Sequence, residues 1–105
     1  MTDGIATTAE ARAGTEARAA GALRVLYFAW VRQKAGTGEE AVAPPPGVDT
    51  VGALARWLAA RSPGHAAAFA RPEAVRAAVN GDFARPDHPV RAGDEVAFFP
   101  PVTGG

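Results

Sequence analysis

The chain changes character at Leu23. Before it, "MTDGIATTAEARAGTEARAAGA" is Ala, Thr, Gly, Glu and Arg with almost no large apolar side chain. Such a stretch cannot bury enough surface to offset the entropy of ordering it, which predicts a disordered or loosely helical extension over residues 1–22. Gly14 and Gly21 would interrupt any helix there. From Leu23 to Val31 the run "LRVLYFAWV" is apolar apart from Arg24 and rich in Val, Tyr, Phe and Trp, which predicts a strand apolar on both faces. "RQKAGTGEE" then reads as a turn or loop. "EEAVAP" reads as a short second strand, ended by Pro44–Pro46.

A change of period follows. Val51, Leu54 and Leu58 recur at helical spacing with Trp57 beside them, and Asp49 or Thr50 can cap the segment. "RSPG", Arg61 to Gly64, is expected to stop this helix, and "HAAAFARPEA" to add a short helical turn. Val75, Ala77 and Val79 alternate with Arg76 and Ala78 before Asn80-Gly81, a hairpin turn signal. After the polar "RPDHPVRAGD", the last strand runs from Glu95 to Phe99. The order β-β-α-β-(β)-β predicts an α+β domain over residues 23–99, with one main helix across one face of a mixed sheet.

One helix covers only one face, yet the first and last strands carry bulky groups at both parities. Tyr27 alternates with Leu26, Phe28 and Trp30, and Phe98 with Phe99. Two outcomes are open: an exposed aromatic patch that marks a partner site, or loops and the short helical turn folded over it.

Composition narrows the chemistry. The 105 residues carry no net charge at pH 7, and the arginines are scattered, so nothing points to nucleic acid. The sequence has no cysteine, which excludes disulfides, cysteine-ligated metal and a thiol nucleophile. That suits a reducing, cytoplasmic setting. No segment is long and apolar enough to span a bilayer, and "MTDGIATTAE" lacks the pattern of a secretory signal. Ser62, the single serine, sits before a proline, where capping is expected rather than nucleophilic attack. His65 and His88 are far apart, so no metal site is expected, and His88 belongs in a surface turn. "GTGEE" lacks the third glycine and the following helix of a dinucleotide fingerprint. Glu39, Glu40, Asp94 and Glu95 read as solvated loop charges.

The remaining candidate is the stretch "FFPPVTGG". Pro100-Pro101 favours an extended arm. Gly104-Gly105 has no β-carbon, so it can thread a narrow channel and adopt backbone angles closed to other residues. A terminal glycine carboxylate can be activated by ATP as an acyl-adenylate and passed on as a thioester, amide or thiocarboxylate. Residues 100–105 are therefore expected to form a protruding functional tail.

"VLYFAWVR", "AAVNG" and "DHPVRAGDEVAFFPPVTGG", in this order and spacing, resemble the small subunit of molybdopterin synthase, the MoaD family. The resemblance covers Leu23 to Gly105. Its last part is highly specific, and its middle matches in pattern only. It implies a ubiquitin-like β-grasp fold and a non-catalytic sulfur carrier of molybdenum cofactor biosynthesis that itself holds no cofactor or metal. An E1-like adenylyltransferase would activate the terminal carboxylate with ATP, and a sulfur donor system would convert the adenylate to a thiocarboxylate. The tail would then enter the large catalytic subunit, in a heterotetramer, and give its sulfur to cyclic pyranopterin monophosphate. By position, Gly105 would bear the sulfur, and Pro100, Pro101, Val102, Thr103 and Gly104 would insert. Phe28, Phe83 and Phe99 would meet the large subunit and the activating enzyme in turn, with Arg32 a polar contact beside them.

The resemblance thus favours an exposed patch, against a mainly core role for Phe28 or Phe99. The N-terminal extension, the triple proline and Trp30 depart from the family pattern. Other carriers of the same fold, for thiamine or cysteine synthesis, and a ubiquitin-like modifier joined to target lysines are the competing readings.

Overall fold

The computed structural model describes residues 22–101. Residues 1–21 of the expected N-terminal extension, and Val102, Thr103, Gly104 and Gly105 of the tail, lie outside the described residues.

Strand β1 spans Leu23–Tyr27 and β2 Glu39–Val42. After the helical region come β3 (Arg76–Val79), β4 (Asp82–Ala84) and β5 (Glu95–Phe99). They form one sheet in the order β2-β1-β5-β3-β4. β1 and β5 run parallel at its centre, and the other pairings are antiparallel. A parallel pair cannot be closed by a tight turn, so the helices fill the connection between them. This is the β-grasp arrangement, a mixed sheet in an α+β fold.

The apolar run from Leu23 does not stay in one strand. β1 ends at Tyr27, and Ala29–Ala35 is a short helix, α1. Ala29 takes φ 55°, which turns the chain sharply out of the sheet. Val31 is consequently a fully buried helix residue, and Trp30 packs beside the core from α1 instead of extending an outer face. The stop signal was present in the supposed loop: Gly36 at φ 86° donates its N–H to the Arg32 carbonyl, a left-handed helix end suited to glycine.

The main helix, α2, spans Val51–Ala59 and buries Val51, Leu54 and Leu58. Of the two candidate caps, Thr50 does the work, its side chain accepting from the Ala53 N–H at 3.1 Å. The β4–β5 loop closes the same helix end, because the Val51 and Gly52 N–H groups donate to the carbonyls of His88 and Pro86. "RSPG" is both a stop and a start. α2 ends before it, and Ser62 caps helix α3, Pro63–Ala68, with Pro63 in its first turn. α3 lies so close to α1 that a β-carbon on Gly64 would stand 2.5 Å from the Lys34 carbonyl oxygen. A 3-10 turn at Pro72–Ala74 leads into β3.

The core lies between helices and sheet. Val25, Val31, Leu54, Leu58 and Val96 are wholly inaccessible, and Tyr27 and Phe98 nearly so. Each such aliphatic side chain contributes about 1.5–3 kcal/mol on burial. Asn80 (φ 52°) and Gly81 (φ 90°) make the expected tight hairpin between β3 and β4. Asp94, expected as a solvated charge, ties this hairpin down. It accepts from the Asn80 side chain at 3.0 Å and the Arg91 N–H at 2.9 Å.

Candidate functional site

Strand pleating sorts the aromatics. Leu23, Val25 and Tyr27 of β1, and Val96 and Phe98 of β5, face the helices. The alternate positions, with those opposite them in register, face away: Leu26, Ala97, Ala78 and Phe83 across the centre, Phe99 and Arg76 toward one end. No element among the described residues covers that side. Phe83 is 79 % exposed and Phe28 49 %. Phe99 is half-buried, its ring centroid 5.9 Å from that of Phe83.

Phe28 follows β1 directly and donates its N–H to the Phe98 carbonyl at 3.0 Å. With Tyr27 opposite Phe98 in register, Phe28 and Phe99 leave their strands at the same end of the sheet. Arg32 is exposed on α1 and lines the same hollow as Phe28, its guanidinium lying over Gly38. Pro100 and Pro101 are half-buried and follow β5 at that end. The structure thus places Phe28, Phe99, Arg32, Pro100 and Pro101 around one end of the open face, with Phe83, on the edge strand β4, beside Phe99. Leu26, already set against Tyr27 by alternation, and Arg76, which escaped sequence reasoning, extend this surface. Period-two alternation from Tyr27 and Phe98 was the signal that could have found Arg76.

A second constellation was missed. Glu39 and Glu40 are strand residues, and the pleat separates them. Glu39 lies opposite Leu26 on the open side and pairs with Arg24 at 3.0 Å. Glu40 lies opposite Val25 and turns inward. Its Oε2 accepts from the Tyr27 hydroxyl at 2.6 Å and contacts His65 Nε2 at 2.6 Å, with the Arg61 guanidinium 3.8 Å from Oε1. Burial is the largest influence on the Glu40 carboxyl and pushes its pKa up. The hydrogen bonds from Tyr27 and His65 and the charges of His65 and Arg61 together outweigh it, leaving the pKa below the ordinary carboxylate value. The Tyr27 hydroxyl is driven strongly upward by burial and then by Glu40, so it stays protonated and donates.

His65 Nδ1 lies 2.7 Å from Ser62 Oγ, which completes a Ser–His–Glu chain. It is not built for nucleophilic attack. Ser62 Oγ also accepts the His65 backbone N–H as the α3 cap, His65 is buried, and the surface hollows beside α2, Phe28, Phe83 and Gln33 are lined by other residues. The cluster fastens β1 and β2 to α3. His88 is exposed and contributes its backbone carbonyl. Among the described residues no three His, Asp or Glu gather as metal ligands, and no helix is long and apolar enough to cross a membrane.

Comparison with known proteins assigns the chain to a family. Residues 25–105 match the model of the ThiS family. The molybdopterin synthase sulfur carrier subunit of Escherichia coli K12 is 47 % identical over 83 residues, covering 79 % of this chain and 99 % of that protein. Among solved structures, a molybdopterin converting factor subunit 1 from Pyrococcus furiosus superposes with a TM-score of 0.65. It is 33 % identical, covering 77 % of this chain and 98 % of that one. The small archaeal modifier protein 1 of Haloferax volcanii superposes at 0.61. It is 26 % identical, over 77 % of this chain and 98 % of its own. With the sheet order, these matches show that the chain belongs to the ThiS family, among the molybdopterin synthase sulfur carrier subunits.

Proposed function

We propose that the protein carries sulfur on the carboxylate of Gly105 for molybdenum cofactor biosynthesis. The observation that carries this reading is the family match, which extends to Gly105 past a strand that ends at Phe99 beside the exposed Phe83 and a diproline that follows it. In the reaction sequence the carboxylate attacks the α-phosphorus of ATP on an E1-like adenylyltransferase, and pyrophosphate leaves. Sulfur from a donor system then displaces AMP and leaves a thiocarboxylate. Adenylation supplies the leaving group that a free carboxylate lacks. The thiocarboxylate holds a reactive sulfur in covalent form, so the carrier needs no catalytic side chain of its own.

Val102, Thr103 and Gly104 thread the tail into the large catalytic subunit, where Gly105 gives up sulfur to cyclic pyranopterin monophosphate. Two such transfers complete the dithiolene of molybdopterin. Phe28, Phe83 and Phe99 bury against the large subunit, with Arg32 at the edge, and the activating enzyme uses the same face in an alternating complex. Two carriers and two large subunits make the working heterotetramer, which is placed in the cytoplasm. The likeness to an archaeal modifier protein keeps a second reading open, in which the adenylated terminus is joined to target lysines.

Intact mass separates them. The chain expressed with its activating enzyme and sulfur donor gains the difference between sulfur and oxygen at its terminus. With the large subunit it then converts pyranopterin to molybdopterin. High-mass conjugates without that conversion would favour the modifier, and conversion by a chain with one extra, uncleaved residue after Gly105 would overturn the assignment of the sulfur to that position.

A further inference from the structure

The helix-bearing side of the sheet is not closed across its whole width. Between α2 and the β3–β4 hairpin lies an apolar hollow of about 530 Å³. Its walls are short side chains: Gly52, Ala55 and Ala59 from the helix, Ala77 and Ala84 from the strands. Phe69 and Phe98 also line it. A Leu or Met at any of the alanine positions would occupy this space, and the sequence puts none there. Volumes of this size accept a small ligand or several side chains.

The rim is cationic. Arg56 of α2, Arg76 of β3 and Arg85 beyond β4 line the hollow, and none of them forms an ion pair among the described residues. Glu73, the acid at the rim, is engaged by Arg71 at 3.2 Å, and its backbone carbonyl accepts from Arg76 at 2.8 Å. Arg76 and Arg85 also line the hollow that holds Phe83 and Phe99 on the opposite face. The two surfaces are therefore continuous around the edge strand β4.

We propose that this hollow is a second docking site, receiving a segment of a protein partner that bears one or two aliphatic side chains flanked by carboxylates. The partner is one that also covers Phe83 and Phe99, so the inference rests on the reading that the open face binds protein. The apolar floor takes the aliphatic groups, and the arginine forks meet the carboxylates in a site from which water is excluded. Continuity around β4 argues for a partner already seated on the open face. The chain's own residues 1–21 fit poorly, having Ile5 as their one bulky aliphatic past Met1 and Arg12 and Arg18 beside three acids.

The test uses the full chain with the large subunit and, separately, with the activating enzyme, by calorimetry. Ala55 and Arg56 line this hollow and not the one at Phe83 and Phe99. Ala55→Phe fills the hollow, and Arg56→Glu reverses its rim. Each is expected to weaken binding to at least one of the two partners by about 10-fold, the Arg56→Glu effect shrinking as salt rises. Arg56 is exposed, so that variant reports on binding even if Ala55→Phe fails to fold. Unchanged affinity of Arg56→Glu for both partners, alongside weakened binding of Phe83→Asp, would overturn the second site and leave the proposed function standing. If Phe83→Asp also binds both partners normally, the open-face reading fails and this inference goes with it.

Discussion

Tyr27 and Phe98 sit opposite each other on neighbouring strands, and Phe28 and Phe99 are the residues that follow them. The first pair is 1 % exposed at each position, its rings stacked with centroids 6.3 Å apart. The second pair lies on the uncovered side, where Phe28 is 49 % exposed. Composition does not distinguish the pairs; the pleat does. One turns into the helices and holds the fold together. The other keeps apolar surface in water, which isolated folding stability does not reward and which a partner can bury. The difference separates residues that should answer to stability measurements from residues that should answer to binding measurements.

The sharpest way to break that division is to cross it. Phe98→Ala removes a ring packed against Tyr27 and edge-on to Phe69, with centroids 4.9 Å apart. It should cost about 3–5 kcal/mol in urea unfolding, a large part of the stability of a domain this size. A loss below 1 kcal/mol would mean that the inward face is not the core. Phe83→Asp makes the opposite claim. Unfolding stability should stay within about 0.5 kcal/mol, while affinity for the large subunit should fall by about 30-fold or more. Matching losses in both measurements would erase the distinction between the faces.

Much of this was readable from period alone. The α2 positions, the Asn80-Gly81 hairpin and the last strand announce themselves through spacing and turn chemistry. The nine-residue span from Leu23 to Val31 did not, because strands and buried helices are alike in apolar content. With one fully buried residue, Val31, α1 is too short to show a helical period. Only Gly36, after Arg32 and Lys34, marked its end. Glu40 was misjudged for a different reason. Adjacent glutamates look equivalent in a sequence, and only membership of a strand sends one out to Arg24 and the other in to His65. The exposure of Phe28 and Phe83 follows from alternation together with family resemblance. Among the described residues, three short helices on one side leave the other side bare, a consequence of topology that no single motif states.

Tyr27 sharpens the comparison, because it belongs to the inward face by packing yet carries a hydroxyl. Tyr27→Phe keeps the ring and its contacts and deletes one donor to Glu40. The expected loss is about 1.5 kcal/mol, at the low end for a hydrogen bond to a charged group, since His65 still holds the carboxylate. Partner affinity should not change. A drop in affinity without a drop in stability would move Tyr27 to the binding side of the division.

The smallest effect expected is the acid dependence that Glu40 confers. Its pKa in the folded protein is lowered from 4.5, so near and below that value the unfolded chain binds more protons than the folded one. Stability from this group is therefore complete above 4.5 and is lost as pH falls through the lower, folded value. Glu40→Gln removes the titration while keeping an oxygen to accept from Tyr27. Plotted against pH, the unfolding midpoint of this variant should fall less steeply on the acid side than that of the parent. At neutral pH the variant should be the weaker of the two, because the His65 and Arg61 contacts lose their charge partner. Superimposable acid limbs would show that the carboxylate is solvated after all, as a bare sequence reading of Glu39 and Glu40 suggests. The inward face would then owe its stability to apolar packing alone.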